Sequence, residues 1–188
     1  MCSLMLADQK SRRTPIFRRS TGSARTFCKR SRGILRQVLT SMKQNKPNIV
    51  KLDSSAVEDI HALWERAALP TRPQGRDEPQ RLRRVIAAGI EIFFGIYDGG
   101  ELIGVILATH DGRKGWLNRL AIDPRYRRRG LAVDLICHAE EYLGGEGIQI
   151  IGALIEDWNN ESLNLFKKCG YLLHEDIHYL SKREHPGV

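Results

Sequence analysis

Residues 125–132, Arg125-Tyr126-Arg127-Arg128-Arg129-Gly130-Leu131-Ala132, gather four arginines around a glycine just before a run with helical spacing. Guanidinium groups are planar forks that match phosphate oxygens and form charge-assisted hydrogen bonds. A helix start carries unpaired N–H donors and partial positive charge, and Gly130 with the small Ala132 lets a ligand approach the backbone. Together these residues read as a cradle for a diphosphate. In isolation, RYRRR reads better as a solvated basic loop. The apolar strand before it, the R-x-x-G-x-A spacing, and the helix and strand after it favour the cradle. Neither G-x-x-x-x-G-K-[ST] nor G-x-G-x-x-G occurs, which argues against a nucleoside triphosphate or a nicotinamide dinucleotide.

The elements that must position this turn follow from punctuation and period. Residues 48–52 form a short strand candidate. Asp53, Ser54 and Ser55 supply caps for a helix whose apolar residues Val57, Ile60, Leu63, Trp64 and Ala67 recur at helical spacing. A polar loop over residues 71–79 leads to a second helix near 79–88, stopped by Gly89. The runs 91–97 (EIFFGIY) and 102–108 (LIGVILA) flank Asp98-Gly99-Gly100-Glu101, a hairpin turn signal. Residues 116–122 (WLNRLAI) add a third antiparallel strand. Beyond the arginine turn, Ala132, Leu135, Ile136, Ala139, Tyr142 and Leu143 form one apolar stripe, with Asp134, Glu140 and Glu141 on the opposite face. The run 148–155 (IQIIGALI) predicts a buried strand, parallel to 116–122 because a helix joins them. A last helix over 161–168 and two short strands near 171–175 and 177–181 complete the expected order.

The formal charge of +8 is unevenly spread. Residues 1–45 hold eleven Lys or Arg and one acidic residue, Asp8, a charge of +10, whereas residues 46–188 carry −2. The expected organisation is a basic leader over 1–45, lacking fixed structure, and one globular domain over 46–188. Three readings of the leader stay open: an upstream extension of a protein starting at Met42, a targeting segment, and a basic arm for nucleic acid. Nucleic acid is not an expected partner of the domain itself, whose charge is nearly balanced. No run approaches the roughly 18 consecutive apolar residues of a membrane span. Cys2, Cys28, Cys137 and Cys169 show no C-x-x-C spacing, so neither a metal site nor a disulfide framework is expected, and the compartment is expected to be cytoplasmic. His174 and His178 are expected on strands, which disfavours a zinc pair.

The run LAIDPRYRRRGLA resembles the acetyl-coenzyme A signature of the GNAT superfamily, Q/R-x-x-G-x-G/A after a strand ending L-x-V. Residues 160–171 are similar to the same family's N-x-x-a-x-x-l-Y-x-x-x-G-F motif. The likeness covers about residues 48–183. It implies an α/β GNAT fold: a mixed, mostly antiparallel sheet splayed between its central parallel strands and flanked by about four helices. It further implies an acetyl-CoA-dependent N-acetyltransferase, in which an amine acceptor attacks directly within a ternary complex. Backbone groups of Leu120, Ala121 and Ile122 would bind the pantetheine and polarise the thioester carbonyl. Arg127, Arg128, Arg129, Gly130, Leu131 and Ala132 would hold the pyrophosphate, and Asn160 the cofactor's amide arm. Asn160 could equally cap the last helix. A homodimer is compatible with the family.

Acetyl transfer needs a neutral amine, although a lysine-like amine has a pKa of about 10.4. Glu156 and Asp157, where the 148–155 strand ends, are the nearest carboxylates for that proton, with Glu156 the candidate base. The tyrosine that usually protonates the departing thiolate aligns with Phe166, which has no proton to give. Tyr171 is the nearest substitute in sequence, although a core role also suits it. Asn118 stands where some relatives carry a Glu base. This departure leaves a second reading, an acyl-CoA-binding sensor with weak catalysis. By family analogy, Trp64, Arg72, Arg76, Asp77, Arg113, Trp116 and Tyr179 are the residues expected to select the acceptor.

Overall fold

A computed structural model describes residues 47–184. The expected leader lies outside the described residues. Five strands form one sheet in the order β1-β2-β3-β4-β5: β1 (Ile49–Lys51), β2 (Ile92–Asp98), β3 (Glu101–His110), β4 (Gly115–Ile122) and β5 (Ile151–Ala153). The first four run antiparallel and β5 joins β4 in parallel. The four described α-helices are α1 (Val57–Arg66), α2 (Pro79–Ala87), α3 (Leu131–Gly145) and α4 (Asn160–Lys168).

Alternation along the strands explains why both central runs are apolar throughout. Phe93, Val105 and Leu107 point to one face and pack with α1 and α2 through Ile60, Leu63, Trp64, Leu82 and Ile86. Phe94, Ile106 and Ala108 point to the other face and meet α3 through Leu135, Ile136, Ala139 and Leu143, and α4 through Phe166. At ten residues α1 is too short to persist alone. Burial of Val57, Ile60, Leu63 and Trp64, each at most 1% exposed, fixes it in place. Each such side chain contributes about 2 kcal/mol before ordering costs. The hairpin turn forms as expected, pairing Asp98 with Glu101 across Gly99 and Gly100 at φ +57° and +84°.

Three expectations need correction. The strand expected over 148–155 shrinks to Ile151–Ala153, because β4 and β5 pair only at Gly115–Ile151, Trp116–Gly152 and Leu117–Ala153. Past Leu117 the two strands diverge, which opens the expected splay. The strands expected near 171–175 and 177–181 are absent: residues 171–183 have no regular structure, and Leu172 (81%) and Leu180 (89%) stay exposed for want of a covering surface. Glu140, assigned to the solvent face of α3, is only 8% exposed. Its turn of the helix faces the core that Tyr171 also packs against, so its carboxyl is pushed up by burial, an effect partly offset by the Tyr171 hydroxyl.

Candidate active site

The splay begins at an irregularity in β4. Val105 pairs with Ala121 and Leu107 with Asn118, so Arg119 and Leu120 together oppose the single residue Ile106. This is a β-bulge, and Arg119 adopts φ +53° within it. A bulge leaves backbone polar groups out of the ladder and turns them toward neighbouring space. The gap left by β5, which pairs with β4 no further than Leu117, opens beside it. Within the bulge Leu120 is half-buried, and beyond it Ala121 is 4% exposed and Ile122 half-buried.

The next residue, Asp123, anchors the arginine turn. Its side chain is buried and accepts from Arg66 Nε at 2.8 Å, from Arg125 Nε at 3.0 Å and Nη2 at 2.9 Å, and from the Arg125 backbone N–H at 3.0 Å. The Arg125 guanidinium, followed by Arg66, holds this carboxyl well below the usual carboxylate range against the opposing effect of burial. Arg125 also bonds Glu101 at 2.8 Å, so this arginine serves the turn rather than an incoming anion. Tyr126 donates to Asp98 at 2.8 Å and carries the Arg129 guanidinium over its ring at 4.8 Å.

The peptide then takes left-handed conformations at Arg128 (φ +62°) and Gly130 (φ +85°) before α3 begins. Such a path turns successive N–H groups toward one side and makes an anion-binding concavity. No side chain caps α3, so its first N–H groups remain available to a ligand. A Cβ at Gly130 would meet nothing within 4 Å, so the space beside it is open. The cleft at this point holds about 340 Å³, lined by Ile122, Tyr126, Arg127, Arg128, Gly130, Leu131, Ala132, Val133, Leu165 and Lys168. A larger, shallower depression of about 480 Å³ lies on the other side of Tyr126 and includes Arg129 and Asp134. It shares Leu131 with the first cleft but not the left-handed residues Arg128 and Gly130, and the carboxylates of Asp98 and Asp134 line it.

The cleft therefore unites Ile122, Arg127, Arg128, Gly130, Leu131 and Ala132. Arg127 donates to the carbonyls of Ala67 at 3.2 Å and Ile122 at 3.3 Å, and Arg129 is drawn to Tyr126 and the Arg125 carbonyl. Leu120 and Ala121 lie back along β4 at the bulge. Lys168 and Leu165 were missed, although they stand three apart on α4 and so share a face. Helix α4 is capped by Asn159, which accepts from Ser162 N at 3.1 Å, and not by Asn160. The exposed Asn160 amide reaches only the Trp158 carbonyl, at 3.5 Å.

Glu156 is exposed in the loop after β5. The acid role expected of Tyr171 does not suit its position. Its ring stands edge-on to Phe166 at 4.9 Å, and its buried hydroxyl has no hydrogen-bond partner of good geometry. Burial and the nearby Glu140 carboxyl push the phenol far up, so it holds its proton more tightly. Among the proposed acceptor-selecting residues, Trp64 and Asp77 are buried, at 1% and 5% exposure, and cannot face a substrate directly. Arg72, Arg76, Arg113 and Tyr179 are exposed, and Trp116 is half-buried. Among the described residues, no group of three or more His, Cys, Asp or Glu side chains comes together.

The model of the acetyltransferase (GNAT) family matches residues 57–171, more than half of the chain. The chain belongs to that family. It is accordingly an N-acetyltransferase, with acetyl-CoA as co-substrate. The acetyltransferase SG1711 of Sodalis glossinidius is 29% identical over 126 residues, spanning 67% of this chain and 87% of that protein. The aminoglycoside acetyltransferase AAC(6')-Iy, solved with the bisubstrate analogue CoA-S-monomethyl-acetylneamine, superposes with a TM-score of 0.62 at 18% identity, covering 74% of this chain and 99% of that one. The PaiA N-acetyltransferase of Thermoplasma acidophilum, solved with coenzyme A, gives 0.62 at 18% identity, covering 69% and 92%. These similarities establish the GNAT fold of the described domain. No helix among the described residues is long and apolar enough to cross a membrane.

Proposed function

We propose that this GNAT enzyme transfers the acetyl group to a primary amine, on a small molecule or a protein, by direct attack in a ternary complex. The observation carrying this reading is that one strand, β4, supplies both halves of the site: a bulge at the splay and, three residues beyond, the turn into an uncapped helix. Arg127, Arg128, Gly130, Leu131, Ala132 and Lys168 would hold the pyrophosphate, and Leu120, Ala121 and Ile122 the pantetheine. Asn160, relieved of capping by Asn159, is free for the amide arm. When bound, the thioester supplies an acetyl group and a thiolate leaving group.

The chain's own contribution is orientation and charge stabilisation. Backbone donors at the bulge polarise the carbonyl as negative charge builds on its oxygen. The amine nitrogen bonds to the carbonyl carbon, the carbon–sulfur bond breaks, and the amine's surplus proton passes to Glu156 directly or through water. Solvent returns a proton to the thiolate, since Phe166 and the buried Tyr171 are unsuited to do so. Glu156, Asp157 and Glu161 place exposed carboxylates between β5 and the first turn of α4, which favours a cationic acceptor. The solved neighbours that carry aminoglycosides, one of them with sisomicin, agree with an acceptor of that chemistry.

A thiol-release assay across a panel of amines tests the reading, with turnover expected on at least one cationic amine. Tight CoA binding without turnover on any amine would favour the sensor instead. The basic leader over 1–45 is assigned no part in catalysis, and its deletion should leave turnover unchanged. We further propose a homodimer, supported by Ile177, Tyr179 and Leu180, all at least 67% exposed, and by β5 forming an open sheet edge beside exposed Ile150 and Leu154. Light scattering of the purified chain checks it, and a monomer at assay concentration refutes it.

A further inference from the structure

The left-handed backbone of Arg119 calls for a restraint. A non-glycine residue in this region costs about 1 kcal/mol or more, so it persists only where its surroundings hold it. Among the described residues, Ala68 and Arg128 share the conformation, but Ala68 follows the end of α1 and Arg128 lies in the solvent-exposed turn. Arg119 is inside a strand. Its guanidinium, 15% exposed, donates through Nη2 to both Asp77 oxygens at 2.5 and 2.7 Å and through Nη1 to the Pro70 carbonyl at 2.7 Å. It also lies over the buried Trp64 ring at 5.1 Å.

The partner is itself fixed. Asp77 accepts from the Arg72 backbone N–H at 2.7 Å and donates its own backbone N–H to the Arg72 carbonyl at 3.1 Å. The segment from Pro70 to Asp77, between α1 and α2, thus closes on itself and presents a buried carboxylate to the bulge. Exposed ion pairs fix little, but a desolvated pair cannot lose one partner without stranding the other. We infer that Asp77 and Arg119 form a positioning pair that holds the β4 bulge in the geometry its carbonyl-polarising backbone donors require. This rests on the acetyl-transfer reading above and adds two residues outside the cofactor cleft to its machinery.

The test uses Asp77→Asn, which keeps the size and one acceptor but removes the charge, and Arg119→Gly, which tolerates the left-handed backbone without the tether. Misplacement by about 1 Å near the chemistry can cost about a hundred-fold, so kcat should fall by roughly that factor in both. KM for acetyl-CoA and the Kd of CoA should rise by less than about ten-fold, well short of the kcat loss, since the pantetheine contacts at Leu120 loosen but the phosphate cradle is untouched. The kcat loss should be the same for every amine, because the carbonyl is common to all. The infrared carbonyl stretch of bound acetyl-CoA, lowered in the wild type, should move back toward its solution value. Arg119→Lys, retaining charge but not the fork, should recover part of kcat. A lowered Tm with unchanged kcat per folded molecule and an unchanged carbonyl stretch would overturn the inference. So would a loss confined to KM for the amine, which would make the pair a wall of the acceptor site. Wild-type protein inactive on every amine would instead overturn the acetyl-transfer reading, and the inference with it.

Discussion

Replacing Gly130 separates the cradle's shape from its charge. Gly130 sits at φ +85° with open space beside it, so any side chain there carries the same backbone strain, about 1 kcal/mol, and meets no protein atom. Gly130→Gln and Gly130→Glu share that strain and bulk and differ only in a negative charge. A carboxylate about 6 Å from a phosphate charge opposes it by about 3 kcal/mol at an effective dielectric of about 20. Solvent at this exposed cleft reduces that by about half, leaving roughly ten-fold in affinity for each of two phosphates. The Glu variant should therefore bind CoA about a hundred-fold more weakly than the Gln variant, and the gap should narrow as salt rises. Isothermal titration with CoA measures both, and circular dichroism confirms the fold. Equal affinity in the two variants at low salt would show that the phosphates lie elsewhere.

Asp123→Asn leaves Arg66 and Arg125 without their shared carboxylate. With both arginines partly in water, the loss should be about 2 kcal/mol, read as a Tm lower by about 5 °C. Because the Asp123 carboxyl is depressed in the folded state, its contribution is complete above the unfolded value of about 3.9 and fades only as pH falls further. Wild-type and variant melts should therefore differ by a constant amount between about pH 5 and pH 8, and a difference that vanishes within that window would refute the assignment. Glu140 has the opposite sign: its raised pKa favours the folded state at low pH, and that contribution is lost as pH rises through the folded value. Glu140→Gln should thus raise Tm relative to wild type at about pH 8 and not at about pH 4, as thermal melts would show. Glu156→Gln should lower kcat by about a hundred-fold near neutral pH, with recovery as the amine becomes deprotonated at higher pH. A flat pH dependence of the ratio, or no loss, would remove Glu156 as base.

What the sequence disclosed and what it hid divide along the range of the interactions. The Asp98-Gly99-Gly100-Glu101 hairpin and the α3 stripe are local patterns; the arginine turn was legible from its spacing, although Arg66, Asp98 and Glu101 brace it from distant parts of the chain. The sheet's antiparallel order followed from short connections. Lys168 reaches the cleft through the docking of α4, and Asp77 meets Arg119 across 42 positions of chain. Neither contact leaves a periodic trace. Glu140 was misplaced because a 15-residue helix covered by both the sheet and the Tyr171 segment buries more than one stripe. The run 148–155 was over-extended because apolar composition marks neither burial nor pairing here: Ile150 and Leu154 are exposed, and pairing ends where the splay begins. The tail strands were inferred from apolar runs, yet residues 171–183 leave the edge that β5 offers unpaired. Nothing local distinguishes Asn118-Arg119-Leu120 from regular strand, so the bulge is visible only in the pairing of β4 with β3.

The most direct test of acetyl transfer at the β4 splay follows a carbon-labelled acetyl group from acetyl-CoA into the acceptor, read by mass spectrometry and the release of CoA thiol together. The account predicts labelled amide on a primary amine, formed in step with free thiol and with no labelled protein intermediate, in wild type and strongly reduced in Gly130→Glu. Label retained on the protein, or thiol release that needs no amine, would contradict it.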